Sequence, residues 1–108
     1  MSDPNGITGY YTDEPRTFYE ALGLILDEMR ETMIAKQKDY GPSNISDFGE
    51  VGVLVRANDK MARLRNLHKI GGRPQNEAID DSWIDLANYA VIALMVRRGI
   101  WGLPMEVK

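Results

Sequence analysis

The sequence contains no cysteine and one histidine, His68. Without thiols there is no disulfide staple, no cysteine-ligated zinc and no thiol nucleophile, and a reducing compartment fits best. A single histidine excludes a multi-histidine metal site and argues against a Ser-His-Asp machine. A basic excess is also missing: 13 Lys and Arg face 16 Asp and Glu, for a net charge of −3. Nucleic-acid binders usually carry the opposite balance, so no direct nucleic-acid binding is expected. No apolar run approaches the roughly 20 residues that span a bilayer, and the opening stretch MSDPNGITGYYTDEP has no signal-peptide core. The expectation is a soluble, cytoplasmic chain with no membrane partner. Chemistry has to come from carboxylates, Lys, Arg, Tyr and Asn.

What is present is an ordinary globular mixture, 44% hydrophobic and 27% charged over 108 residues, which is one domain's worth of chain. Residues 1–15 carry prolines and glycines without an apolar period and read as a flexible arm, which Tyr10 and Tyr11 could pin to a neighbour. Residues 16–108 read as a single helical domain. The first helix starts near Thr17, with Phe18, Leu22, Ile25, Leu26, Met29 and Met33 at helical spacing. Lys36, Gln37 and Lys38 bring positive charge to its C-terminal end, where the helix dipole favours it. Asp39-Tyr40-Gly41-Pro42-Ser43-Asn44 breaks it.

The second helix is expected from about Gly49 to His68, with Leu54, Ala57, Met61 and Leu64 as its apolar stripe. Gly71-Gly72-Arg73-Pro74 reads as a loop, and the third helix as Asn76 to Arg98, ended by Gly99. From Leu86 to Val96 that helix is apolar almost all round, which places it inside a core. No strand is needed. The fold class is therefore all-α: three main helices plus a docked tail, Ile100 to Met105. The apolar third helix is expected to be covered by completing a larger bundle through homo-oligomerisation, as a dimer or tetramer.

Four polar constellations stand out. Glu77, Asp81, Asp85 and Asn88 fall at i, i+4, i+8 and i+11, one stripe of the third helix. Like charges at i,i+4 repel, and Asp85 and Asn88 sit in apolar sequence, so a Mg²⁺ or Mn²⁺ ion would relieve both problems. The plain alternative is a solvated acidic first turn, which accounts well for Glu77, Asp80 and Asp81 and poorly for Asp85 and Asn88. On the first helix, Glu28 and Glu31 face one way and could complete a metal site in a bundle core, or could be its wet face.

On the second helix, Arg56, Asp59, Lys60 and Arg63 share a face. They could clamp a polyphosphate, with Asp59 joining the metal site, or form a salt-bridged surface. The loop Asp39-Tyr40-Gly41-Pro42-Ser43-Asn44 offers an aromatic face, an amide and a hydroxyl for a base or sugar, in what is otherwise a plain turn. His68 reads as a C-terminal dipole partner, and Met29, Met33, Met61 and Met95 as packing.

Lys38-Asp39-Tyr40-Gly41, Asn44, Phe48-Gly49-Glu50, and Arg56 through Asp59-Lys60 to Arg63-Leu64 resemble the nucleotide-modification-associated domain found in many phages. The run Glu77, Asp81, Asp85-Leu86-Ala87-Asn88-Tyr89-Ala90 is similar to that family's closing helix. The resemblance covers about residues 20–98. That family in turn looks like the MazG-type all-α nucleoside triphosphate pyrophosphatases, which hold Mg²⁺ on acidic pairs of neighbouring helices and act as oligomers. The resemblance implies that Glu28 and Glu31 match the paired-glutamate motif and Asp85 the aspartate of the second motif. Ser82 stands where that motif has glutamate, with Asp81 the nearest substitute.

Two functions follow from these readings. The first is a metal-dependent pyrophosphohydrolase of phage nucleotide metabolism, giving a monophosphate and pyrophosphate. Glu28 and Glu31 would be its catalytic carboxylates, and Glu77, Asp81, Asp85 and Asp59 its metal ligands. Lys38, Asp39, Tyr40, Asn44, Arg56, Lys60, Arg63 and Asn88 would bind the substrate. The second is a nucleotide-binding protein without chemistry, either a sponge for a signalling nucleotide or a subunit of a base-modification complex. Loss of the second-motif glutamate favours the latter, and the acidic stripe opposes it.

Overall fold

A computed structural model describes residues 14–70 and 75–106 of the chain. The expected arm, with Tyr10 and Tyr11, lies almost wholly outside the described residues, and so does the Gly71-Gly72-Arg73-Pro74 loop. Among the described residues there are four α-helices and no strand: α1 (Phe18–Tyr40), α2 (Ser43–Ser46), α3 (Gly49–Ile70) and α4 (Gln75–Arg97). The fold is all-α, with three long helices. The boundaries expected from sequence hold to within two residues, except that the break after the first helix contains the short α2.

The chain divides into two compact units, Met1–Arg30 and Glu31–Lys108. In the first, α1 opens on Thr17 as its N-cap. The backbone N–H of Glu20 donates to Thr17 Oγ1 at 3.1 Å, and the Glu20 carboxylate accepts from the backbone N–H of Arg16 at 2.8 Å. The first bond satisfies one orphan donor of the helix start, and the second ties the residue before the cap to the same turn. Further along, Arg30 pairs with Asp27 at 3.2 Å on the surface. Phe18, Tyr19, Leu22, Leu24, Ile25 and Leu26 are all exposed.

The second unit is organised by α3 and α4, which pack as an antiparallel pair. Three relationships fix their register. Arg97 Nη1 lies 2.9 Å from Glu50 Oε1, Val53 and Ile92 share one core cluster, and Lys60 Nζ lies 2.8 Å from Asp85 Oδ2. The α3 seam is Val53, Ala57, Lys60, Leu64 and Leu67, and the α4 seam is Ser82, Asp85, Tyr89, Ile92 and Val96. Steps of four and three residues keep each row on one side of its helix, the pattern of coiled-coil packing. Ser82 is 1% exposed, the most buried side chain in the described chain. A small residue at a seam lets two backbones approach closely.

This corrects the stripe expected for α3. Leu54 is 68% and Met61 41% exposed, while Val53, Leu64 and Leu67 are buried. Hydrophobicity alone selects positions 54, 57, 61 and 64, because the neighbouring row contains a lysine. The structure uses that row anyway, since Asp85 supplies the counter-charge to Lys60.

Both ends of the helical core close with positive-φ glycines. Gly41 (φ 70°) donates to the Gln37 carbonyl at 2.8 Å and ends α1. Gly99 (φ 70°) donates to Val96, and Ile100 to Met95, the two bonds of a Schellman cap on α4. The tail then folds back as expected. Trp101 is buried with Ile45, Val53 and Ile92, and Met33 and Met95 pack against that cluster. The indole N–H of Trp101 donates to the Pro42 carbonyl at 3.0 Å, and the backbone N–H groups of Ile45 and Ser46 donate to the same oxygen. One carbonyl therefore ties the tail to the first turn of α2.

Candidate functional site

Within the Glu31–Lys108 unit, the last two turns of α1, α2, α3, α4 and the docked tail enclose a cavity of about 280 Å³. Its lining is built by short-range periodicity. Met33, Lys36, Gln37 and Tyr40 recur at three- and four-residue steps and so share one face of α1. Arg56 and Lys60 are one turn apart on α3, and Asp85, Asn88, Tyr89 and Ile92 fall at i, i+3, i+4 and i+7 on α4. Ile45 and Trp101 supply the apolar floor and Asn44 reaches in from α2.

Asp85 is the electrostatic centre. Its side chain is 11% exposed, and each oxygen meets a different lysine: Oδ1 lies 2.7 Å from Lys36 Nζ and Oδ2 lies 2.8 Å from Lys60 Nζ. One carboxylate thus joins three helices. Burial pushes the Asp85 carboxyl up, but the hydrogen bonds and charges of Lys36 and Lys60 outweigh it, so the group titrates below its ordinary range. Burial likewise pulls Lys36 down, and the contact with Asp85 carries it above its ordinary value. Both are charged at neutral pH. The third cation, Arg56, donates from Nη2 to the Asn44 carbonyl at 3.2 Å, which holds the α2 turn beside the cavity. Asn44 Oδ1 is buried and has no hydrogen-bond partner among the described residues. Buried acceptors are rarely left so, and an ordered water or a ligand donor can meet this one. Asn88, 6% exposed, presents a second amide.

Six of the residues singled out from the sequence meet here: Tyr40, Asn44, Arg56, Lys60, Asp85 and Asn88. The others do not line the cavity. Glu31, Lys38, Asp39, Asp59, Arg63, Glu77 and Asp81 are all exposed on the same unit. Glu28 is exposed in the Met1–Arg30 unit. The acidic stripe of α4 therefore runs from solvent at Glu77 and Asp81 to the interior at Asp85 and Asn88. Among the described residues no three Asp, Glu or His side chains converge as a metal-holding group. Ser82, at the position where the resemblance expects glutamate, is buried at the helix seam. With both Asp85 oxygens held by lysines, the residues present do not fit a divalent ion in this arrangement.

Sequence reasoning missed Lys36, Gln37, Tyr89 and Trp101. In the sequence Lys36 reads as a dipole partner of the helix end or an ion-pair partner of Glu28. Its signal is its place between Met33 and Tyr40 on one face. Tyr89 and Trp101 were hidden among apolar neighbours.

No match is found among curated proteins, and none among solved structures. The model of the family described as nucleotide modification associated domain 1 matches residues 36–96. That span is more than half of the chain and contains every cavity residue except Met33 and Trp101. The chain belongs to the nucleotide modification associated domain 1 family.

Proposed function

We propose that the protein binds a nucleotide in this cavity. The observation that carries the reading is the gathering of three cations, Lys36, Arg56 and Lys60, with aromatic walls from Tyr40, Tyr89 and Trp101 in one small space. Lysine ammoniums and an arginine fork are phosphate ligands, while aromatic faces and amide edges hold a base. Asn44 Oδ1 accepts from a base N–H, and Asn88 offers a further amide. In the free protein Asp85 occupies the lysines and keeps them close together, so little side-chain ordering remains to be done when an anion replaces it. The family's nucleotide-related description agrees with this chemistry.

Calorimetric titration with ribo- and deoxynucleotides tests it. Binding that is lost in Lys60→Met and Arg56→Met is the expected result. Absence of binding by any nucleotide to the folded chain overturns it.

A second reading, a Mg²⁺- or Mn²⁺-dependent pyrophosphohydrolase, is favoured by the position of Asp85. It is the motif aspartate of the resemblance and it lies inside the cavity. That reading requires a ligand phosphate to draw Lys36 and Lys60 off Asp85 first. A phage origin, a sponge role, a place in a base-modification complex and homo-oligomerisation belong with these proposals.

A further inference from the structure

We infer that the preferred ligand is a nucleoside 5′-monophosphate, not a triphosphate; this rests on the nucleotide-binding reading above. Charge is the first argument. Lys36, Arg56 and Lys60 less Asp85 leave two positive charges in the cavity lining. A phosphate monoester carries about −1.5 to −2 near neutral pH, so one such group neutralises the site.

Geometry is the second argument. Both lysine ammoniums lie within hydrogen-bond distance of the single Asp85 carboxylate, at 2.7 and 2.8 Å. They are spaced for one compact anion. A chain of phosphoryl groups needs cations strung along its length, and beyond the two lysines the lining offers Arg56 alone, already donating to the Asn44 carbonyl at 3.2 Å. Lys38 on α1 and Arg63 on α3 are exposed and do not line the cavity. A third phosphoryl group would therefore lie without a cation from the lining, and the Asp85 charge disfavours every phosphoryl group after the first.

Size is the third. At about 280 Å³ the cavity lies just below the usual range of ligand sites, roughly 300 to 1,000 Å³. The smallest nucleotides suit it best. The arrangement thus sorts nucleotides by phosphate count: Asp85 pre-places the two lysines and also caps the negative charge that the site accepts.

The test is isothermal titration of the full chain with the mono-, di- and triphosphate of each deoxynucleoside, the unphosphorylated nucleosides and inorganic phosphate. The series is run in EDTA and again with Mg²⁺. The expected result is a monophosphate that binds at least about tenfold more tightly than its own triphosphate and its own nucleoside. Its affinity is expected to fall as pH drops through about 6, where the phosphate takes up its second proton. Asp85→Asn, which raises the lining charge by one, is expected to shrink the preference over the triphosphate. If that variant fails to fold, the wild-type series alone decides. A triphosphate that equals or exceeds the monophosphate, in either buffer, overturns the inference and leaves nucleotide binding standing. Absence of binding by every compound, with helical circular dichroism intact, overturns both.

Discussion

Lys60 Nζ lies 2.8 Å from Asp85 Oδ2, and both residues occupy seam positions where α3 and α4 pack together. An ion pair at a seam is sensitive to the loss of either partner, because the survivor keeps a partly desolvated charge. Asp85→Asn is expected to cost about 1–3 kcal/mol in urea unfolding, below the loss typical of a fully buried pair because both lysines can turn toward water. Lys60→Met should cost less, since Lys36 still covers Asp85. A double-mutant cycle on the two should show a coupling above about 0.5 kcal/mol. Additive losses would show that the pair is incidental to the seam.

The same carboxylate sets an acid dependence. Asp85 is lowered from an ordinary value of 3.8: burial opposes this, and the hydrogen bonds and charges of Lys36 and Lys60 prevail. A group whose folded value is depressed stabilises above its unfolded value, and that contribution is lost as pH falls through the folded value. Lys36 is raised from 10.5, so its contribution is complete below that pH and is lost as pH rises through the folded value. The stability gap between wild type and Asp85→Asn should be widest across the neutral range and close below about pH 4. Denaturant titrations at a series of pH values measure it. A gap that persists unchanged at pH 2 contradicts the assignment.

Trp101 anchors the tail in two ways, by burial among Ile45, Val53 and Ile92 and by its indole N–H on the Pro42 carbonyl. The two can be separated. Trp101→Phe keeps most of the ring and removes the donor, for an expected loss of about 0.5–1.5 kcal/mol plus some packing. Trp101→Ala also empties the floor of the cavity and should cost about 3–5 kcal/mol. Thermal unfolding of both variants gives the comparison. Equal losses would mean that the hydrogen bond carries the anchoring.

Helices and their ends were legible in the sequence because their signals are local: the apolar spacing that starts near Thr17, Gly41-Pro42, and Gly99 after a long apolar run. The docked tail was legible from its apolar composition. The site was only half legible. Asp85 and Asn88 stand out as polar groups in apolar sequence, Arg56 and Lys60 as members of one charged helix face, and Tyr40 and Asn44 as base-recognising groups in a turn. Their partners do not, because pairing depends on register across helices. Asp85 reads as the inner end of an acidic stripe until α3 brings Lys60 and α1 brings Lys36 against it. Lys60 reads as surface until its row, beginning at Val53, turns out to be the seam. Lys36 and Trp101 are 65 residues apart in the chain and share the cavity only through the tertiary fold.

No residue of α1 is buried over its 23 residues, and Leu22, Ile25 and Leu26 are exposed apolar positions on it. A second apolar groove of about 430 Å³ lies along α3 and α4 with Leu54 and Trp83 on its lining, both more than half exposed. Apolar exposure on this scale is typical of surfaces that are covered in an assembly. The chain is expected to sediment as a dimer or tetramer at micromolar concentration. Trp83→Lys or Leu22→Lys should dissociate it and lower its melting temperature. A stable wild-type monomer would remove the basis for an obligate oligomer.

The last expectation separates binding from hydrolysis. Direct attack by water is the economical route in a chain with no cysteine and no histidine in the cavity, and it needs a base and charge neutralisation close to the phosphate. The lining supplies the cations but one carboxylate, and Asp85 already spends both oxygens on lysines. Ligand binding, on this geometry, should outlast any loss of turnover. Phosphorus NMR of a deoxynucleoside triphosphate incubated with the protein and Mg²⁺ or Mn²⁺ in ¹⁸O-labelled water reads the outcome directly. If the pyrophosphohydrolase reading holds, monophosphate and pyrophosphate appear together. Glu28→Gln, Glu31→Gln or Asp85→Asn should then reduce turnover far more than affinity, whereas Lys60→Met should weaken both. Label in orthophosphate would place cleavage at the γ-phosphate and remove the MazG-like assignment. A bound nucleotide that stays intact under both metals leaves a binding protein, with Asp85 serving as the stand-in anion that keeps Lys36 and Lys60 in place.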